Sequence, residues 1–443
     1  MSESALPRGP SAPPLWQTLR WLVRPVELME SCRRRFGDAF SLTFLGFESP
    51  MVLLSDPEVV RELYSSSEHT LPPGRTVSLL PVMGPSSLLL LEGDQHLERR
   101  RLMLPPFHGE RLRAYGQAVA EIADAEIERW PDGGEIVIHE RMRAITLEAI
   151  LRVVFGVTDE ARRERLRAAV PAFLAATSSV SLSFRVLLAG RLGRRSPLER
   201  LALRDELDAL LFSEIAERRA SGASGEDVLS LLLNARFADG STMSDRELRD
   251  HLMTLLLAGH ETTATALAWT FELLLRNPPA LRRLRESLAA GEEAYLRAVI
   301  SESLRLRPVV PMAGRRLACE LTAGGLRLPA GTDVTPAIWL LHTRPDVYPD
   351  PYLFRPERFL DGAPATFAWL PFGGGVRRCL GAAFAELEMR VVLEAVLARV
   401  ALEPVGRAER IARRNVTLAP ARGARARTAR RLPSPEAAAP RAA

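Results

Sequence analysis

Helical patterning of apolar and polar residues dominates the chain from Arg111 to Arg307. Within that region, residues Ser244 to Arg276 form a predominantly apolar stretch. Ser244 and Glu247 stand three apart, as in a capping box that opens a helix, and Asn277-Pro278-Pro279 supplies the stop. The length would span a bilayer. Its middle, however, reads Ala258-Gly259-His260-Glu261-Thr262-Thr263, and a carboxylate at mid-membrane is costly. No apolar partner segment occurs elsewhere, so the pattern predicts a long helix buried in a soluble core. Strand-like runs are short and lie outside the helical region, at Ala39–Leu45, Met51–Leu54, Leu326–Leu328 and Val334–Ile338. The sum is a mainly α fold with a small β-rich lobe and no internal repeat.

The two ends differ from this middle. Residues 1–14 are rich in proline, and Trp16, Leu19, Leu22 and Val23 follow as a small apolar stripe. That stripe could touch a bilayer, but a buried helix face is the expectation. Nothing before it reads as a signal peptide or a membrane anchor. One domain is expected over residues 15–425. Arg422–Arg431 is basic, lacks aromatic residues and runs into Pro433-Ser434-Pro435, so residues 426–443 read as a disordered tail.

Composition narrows the function classes. All 59 basic residues are arginine, which suggests a high-GC bacterial genome. They are interspersed with 54 acids, leaving a net charge of +5. A nucleic-acid role would want a basic stripe with aromatic residues beside it, and none is present. Cys32, Cys319 and Cys379 are scattered, with no Cys-x-x-Cys unit, which suits a reducing cytoplasm. His260-Glu261 begins like a zinc-protease helix, but Ala264 stands where the second histidine would be.

The chemistry-bearing segment is Phe372-Gly373-Gly374-Gly375-Val376-Arg377-Arg378-Cys379-Leu380-Gly381. Glycines let backbone approach a large flat ligand, and consecutive N–H groups can point at sulfur. Neighbouring arginines and the start of a following helix favour the thiolate. A buried free cysteine in a glycine-rich turn is the alternative.

Through Phe372, Gly375, Arg377, Cys379 and Gly381 the segment resembles the haem-binding loop of the cytochrome P450 family. The resemblance extends to three more motifs in family order. Ala258-Gly259-His260-Glu261-Thr262-Thr263 resembles the oxygen-binding kink of the long central helix. Glu302-Ser303-Leu304-Arg305, followed by Arg358, resembles a buried triad that holds the cysteine loop. Glu-x-x-Arg also occurs at Glu30/Arg33, Glu98/Arg101, Glu110/Arg113 and Glu160/Arg163, so order along the chain singles out the later copy. His96 and Arg100 resemble a propionate clamp, with Arg315, or its neighbour Arg316, meeting the propionates from a strand.

The resemblance implies haem b between the central helix and the cysteine-loop helix. Cys379 is then the iron ligand, Arg377 a propionate partner, and Phe372 a shield for the sulfur. Gly373, Gly381, Ala258 and Gly259 would lie against the cofactor, Gly259 by letting the helix pass close over its face. Thr262 and Glu261 would deliver protons, Glu261 by swinging between solvent and the site. The implied activity is a monooxygenase that uses O2 for hydroxylation or epoxidation. Electrons would come from NAD(P)H through a separate ferredoxin or flavodoxin and a reductase. A peroxide-driven or rearranging relative, or a haem sensor without turnover, are the rivals. The implied pocket takes Val77, Leu79, Leu80, Leu89, Phe173 and Phe184 from the N-terminal half. Leu255, Ala258, Val310, Met312 and Val416 complete it. Such a lining suits an apolar substrate such as a fatty acid, terpenoid or polyketide, and a cytoplasmic monomer is expected.

Overall fold

The computed structural model describes residues 6–431, apart from 48, 66–71, 75–79, 178–179, 193–201, 223–224 and 363–365. Its centre is one helix, Asp245–Leu275, of 31 residues and roughly 46 Å. Ser244 caps it as the sequence predicts: its hydroxyl accepts from the Glu247 N–H while the Glu247 carboxylate accepts from the Ser244 N–H. Asn277 accepts from the Ala280 N–H and opens the next helix, with Pro278 in its first turn. Leu252, Leu256, Leu267, Phe271 and Leu274 are buried on several sides of the central helix, which is how an all-round apolar helix lies in a core.

Other helices sheathe it. Ile138–Ala149 runs against it and continues as a π-helical turn, Ile150–Val154. Ala294–Leu306 and Ala382–Arg399 pack on other faces. One large apolar core joins these helices, and two smaller cores lie under the sheet lobe.

The lobe is a four-stranded sheet in the order Ala39–Leu42, Met51–Leu54, Asp333–Pro336, Arg315–Arg316. Met51–Leu54 and Leu326–Leu328 form as expected. Ala39–Leu45 pairs only as far as Leu42, and Val334–Ile338 is cut short because a helix begins at Ile338. The middle pair of strands is parallel and joins residues far apart in sequence.

The tail needs correcting. Arg425–Arg431 is not disordered; it is the central strand between Glu135–Val137 and Val400–Pro404. Ala426 and Thr428 are buried on its inner face, and Arg425 pairs with Glu135. Alternation of small buried residues with arginines is the signature of a half-buried strand, and a high arginine content masks it. The N-terminal stripe is corrected too. In the helix Pro14–Val23, Leu22 is buried, but Trp16, Leu19 and Val23 are exposed.

Candidate active site

His96 and Arg100 stand one turn apart on the helix Gly93–Met103. Burial, and then the charges of Arg377, Arg100 and Arg315, pull the His96 pKa down to about 3. Three guanidiniums from a helix, a loop and an edge strand therefore converge on one neutral imidazole. Arg100 donates to the Arg378 carbonyl at 2.7 Å, Arg377 to that of Leu91 at 2.5 Å, and Arg315 to that of Gly314 at 2.8 Å. A strand turns alternate residues to opposite faces. Arg315 is the half-buried one of its pair and acts on His96, whereas Arg316 is exposed.

Cys379 shares Arg100 with this cluster. Its N–H donates to the Phe372 carbonyl at 2.9 Å, closing the glycine-rich loop, and its sulfur accepts from the Gly381 N–H. The side chain is exposed, yet burial is the first cause acting on its thiol. Both hold for a group set deep in the fold that faces open space. Burial pushes the thiol pKa up, against the pull of the Gly381 N–H, Arg378 and Arg100. The arginines pull toward the thiolate as expected, and in the bare protein burial outweighs them. The glycines divide their roles. A Cβ at Gly374 would stand 2.8 Å from the Tyr64 ring, so that glycine serves packing, whereas Gly373 and Gly381 border open space.

The central helix has a partly exposed face of its own. Ala258 is exposed, and Leu255 and Thr262, on the same face, are half-buried. The Thr262 hydroxyl donates to the Ala258 carbonyl at 2.6 Å. One residue on, Thr263 donates to Glu388 of the cysteine-loop helix Ala382–Arg399, tying the two helices together. Gly259 does not serve that open face. A Cβ there would meet Ile150 Cδ1 at 2.7 Å, so glycine allows the π-helical turn to pack close.

Glu261 points away from Thr262's face into a buried polar seam. Arg143 Nε stands 3.0 Å and His139 Nε2 3.5 Å from its oxygens. His139 also meets the Thr265 hydroxyl at 3.1 Å, and Arg414 reaches the other His139 nitrogen at 3.5 Å. Burial raises the Glu261 pKa, with Arg143 and Arg414 opposing. The expected carboxylate swinging to solvent is instead held from two elements. Arg143 continues into a cleft of about 430 Å³ lined by charged residues such as Glu140, Glu148 and Arg152, which contains none of the cysteine-site residues. No local motif marks His139, Arg143 or Arg414, which come from segments remote from Glu261 in the chain.

The triad forms. Arg305 donates to both Glu302 oxygens, at 2.6 and 2.7 Å, with both side chains fully buried, and Arg358 adds a 3.4 Å contact. Arg305 also donates to the His342 and Pro351 carbonyls at 2.8 and 2.7 Å. His342, unnoticed in the sequence, carries this network to the cysteine loop. Its Nε2 accepts from the Leu370 N–H at 2.8 Å, which leaves Nδ1 to donate to the Arg305 carbonyl at 3.1 Å.

The expected pocket residues scatter. Val77 and Leu79 lie outside the described residues. Phe173 is 1% exposed and belongs to the large core, so it lines no open space. Met312 packs against the sheet-lobe core, and Val416 projects from the turn between strands Ile411–Arg414 and Thr417–Pro420. Leu80 and Leu89 are exposed, while Phe184 and Val310 are half-buried.

A single exposed cysteine, a cluster of guanidiniums that could meet paired carboxylates, and a partly exposed helix face beside a threonine fit an iron porphyrin. The arrangement is that of a haem-thiolate enzyme. The sequence profile of the cytochrome P450 family matches residues 7–424. Cytochrome P450 135B1 of Mycobacterium tuberculosis is 43% identical, with 96% of this chain and 92% of that one aligned. Cytochrome P450 137 of the same organism is 40% identical, over 89% and 83%. The solved cyanobacterial CYP120A1 with bound retinoic acid is similar at a TM-score of 0.84 and 26% identity, covering 97% of this chain and all of that one. The chain belongs to the cytochrome P450 family, and it is a haem- and O2-dependent monooxygenase. Among the described residues no helix is long and apolar enough to cross a membrane.

Proposed function

We propose that Cys379 is the axial iron ligand and that the enzyme inserts one atom of O2 into a C–H or C=C bond of an apolar small molecule. Fatty acids, terpenoids and polyketides are the candidate classes, with electrons from NAD(P)H through a separate ferredoxin or flavodoxin and reductase. The observation that carries this reading is that Arg100 donates to the Arg378 carbonyl beside Cys379 and acts on both His96 and the Cys379 sulfur, which supports a propionate clamp next to the iron ligand. Haem, when bound, supplies the activation of dioxygen.

The chain does the rest. His96, Arg100, Arg315 and Arg377 would hold the two propionates by charge-assisted hydrogen bonds. The Gly381 N–H would remain on the sulfur and temper its basicity. The Thr262 hydroxyl, bonded to the Ala258 carbonyl, would turn from that carbonyl to hold a proton at the open face of the helix. Glu261, one residue away with a raised pKa, would refill that proton through intervening water. An apolar substrate is supported by Leu255 and Ala258 on the open face, and by the retinoic acid held in the cyanobacterial relative.

The direct test is the reduced, carbon monoxide-treated protein. It should show the strongly red-shifted Soret band of a thiolate complex, and Cys379→His should lose that band while keeping haem. A haem-rich preparation without the band would overturn the assignment. Thr262→Ala should keep NAD(P)H consumption but release peroxide in place of product; unchanged coupling would remove the proton role. Spin-state shifts across fatty acids, terpenes and macrolides would identify the substrate class.

A further inference from the structure

The helix Pro14–Val23 buries two polar residues beside Leu22 and leaves four large apolar ones outside. Gln17 and Thr18 face inward, 3% and 1% exposed. Gln17 Nε2 donates to the Ala12 carbonyl at 2.7 Å, and its Oε1 accepts from the Thr43 N–H. The Thr18 hydroxyl donates to the Pro14 carbonyl and accepts from the Leu45 N–H at 2.7 Å. Outward, on one arc of the helix, stand Leu15, Trp16, Leu19 and Val23, exposed by 46, 57, 36 and 62%. Water is a poor neighbour for four large apolar side chains in a row. The inward polar residues are fully used, so the orientation is set by the fold and cannot be reversed by rolling the helix.

Charge identifies what covers this arc. Arg20 is half-buried beside it and Arg24 is exposed just past its end, and neither has an ion pair among the described residues. The helix itself contains no acid. An indole, aliphatic side chains and uncompensated arginines on one short helix are the features of a helix that lies in the plane of an anionic lipid surface. The helix packs against the strand Ile411–Arg414.

We infer that the Pro14–Val23 helix docks the enzyme peripherally on anionic bilayers, with its Leu15, Trp16, Leu19 and Val23 arc in the headgroup region and Arg20 and Arg24 on lipid phosphates. This is independent of which molecule the haem site oxidises. The test uses the full-length holoenzyme with vesicles of phosphatidylcholine, alone or with phosphatidylglycerol. Wild type should co-sediment with the anionic vesicles, with a blue shift in tryptophan emission that Trp16→Ser removes. Trp16→Ser/Leu19→Ser/Val23→Ser should abolish binding, and Arg20→Gln/Arg24→Gln should weaken it on the order of tenfold, both keeping the haem spectrum and melting temperature of wild type. Absence of wild-type binding to either vesicle would overturn the inference. So would binding that all variants retain, or a concentration-dependent dimer, abolished by the triple variant, in a protein that ignores lipid.

Discussion

Two buried carboxylate sites sit within one fold and are treated differently. Glu302 receives two hydrogen bonds from Arg305, one from the Arg355 N–H at 2.9 Å and a longer contact from Arg358. Its charge is fully answered, and the cluster is tied into backbone carbonyls on every side. Along the central helix, Glu261 has Arg143 and His139 at its oxygens but is still pushed toward protonation, and Glu388 is raised further, to about 8, by burial. A site that answers its charge in full is a brace. One that answers it in part holds an acid that keeps its proton more readily than usual.

The largest effect should come from breaking the brace. Glu302→Ala leaves Arg305 buried without a counter-charge and should cost about 3–5 kcal/mol. Arg305→Ala should do likewise, and both variants should load little or no haem. Normal haem incorporation in both would refute the structural role.

Glu388 tests the opposite regime. Its folded-state pKa lies above its unfolded one, so the folded protein binds the extra proton. Stability is then present at low pH and falls as pH rises from about 4.5 to about 8. Glu388→Gln should remove that slope and gain a few kcal/mol on the alkaline side, read as urea midpoints across pH. An unchanged slope would show that the acid is not protonated in the folded state.

His342→Ala should be milder. It leaves the Leu370 N–H without an acceptor, a loss of about 1–3 kcal/mol, and should show as faster haem loss with little change in the carbon monoxide spectrum. Arg143→Gln should have the smallest effect on stability. Removing a positive charge raises the Glu261 pKa further, so the pH dependence of coupling should move upward, and Arg143→Lys should restore it. Loss of coupling equal at every pH would mark Arg143 as a packing residue only.

Legibility followed the reach of each interaction. The central helix was readable to within a residue because its cap, its apolar run and its proline stop are local. Cys379, Thr262, Glu302 and Arg305 stood out because their spacing within a loop or a helical turn is itself the chemistry. Gly259 was found for the wrong reason: its neighbour Ile150 comes from another helix. The strand Arg425–Arg431 passed for a tail because its pairing partners lie elsewhere in the chain.

Residue order alone thus specified where the central helix begins and ends, and which cysteine, threonine and Glu-x-x-Arg pair carry the family's motifs. Folding was needed to settle that Arg315, rather than Arg316, turns inward, that Glu261 is clamped by Arg143, and that His342 links the brace to the cysteine loop. It also decided that Leu15, Trp16, Leu19 and Val23 face outward. Local signals act over one or two helical turns, whereas charge, burial and exposure are sums over neighbours that only a packed chain brings together.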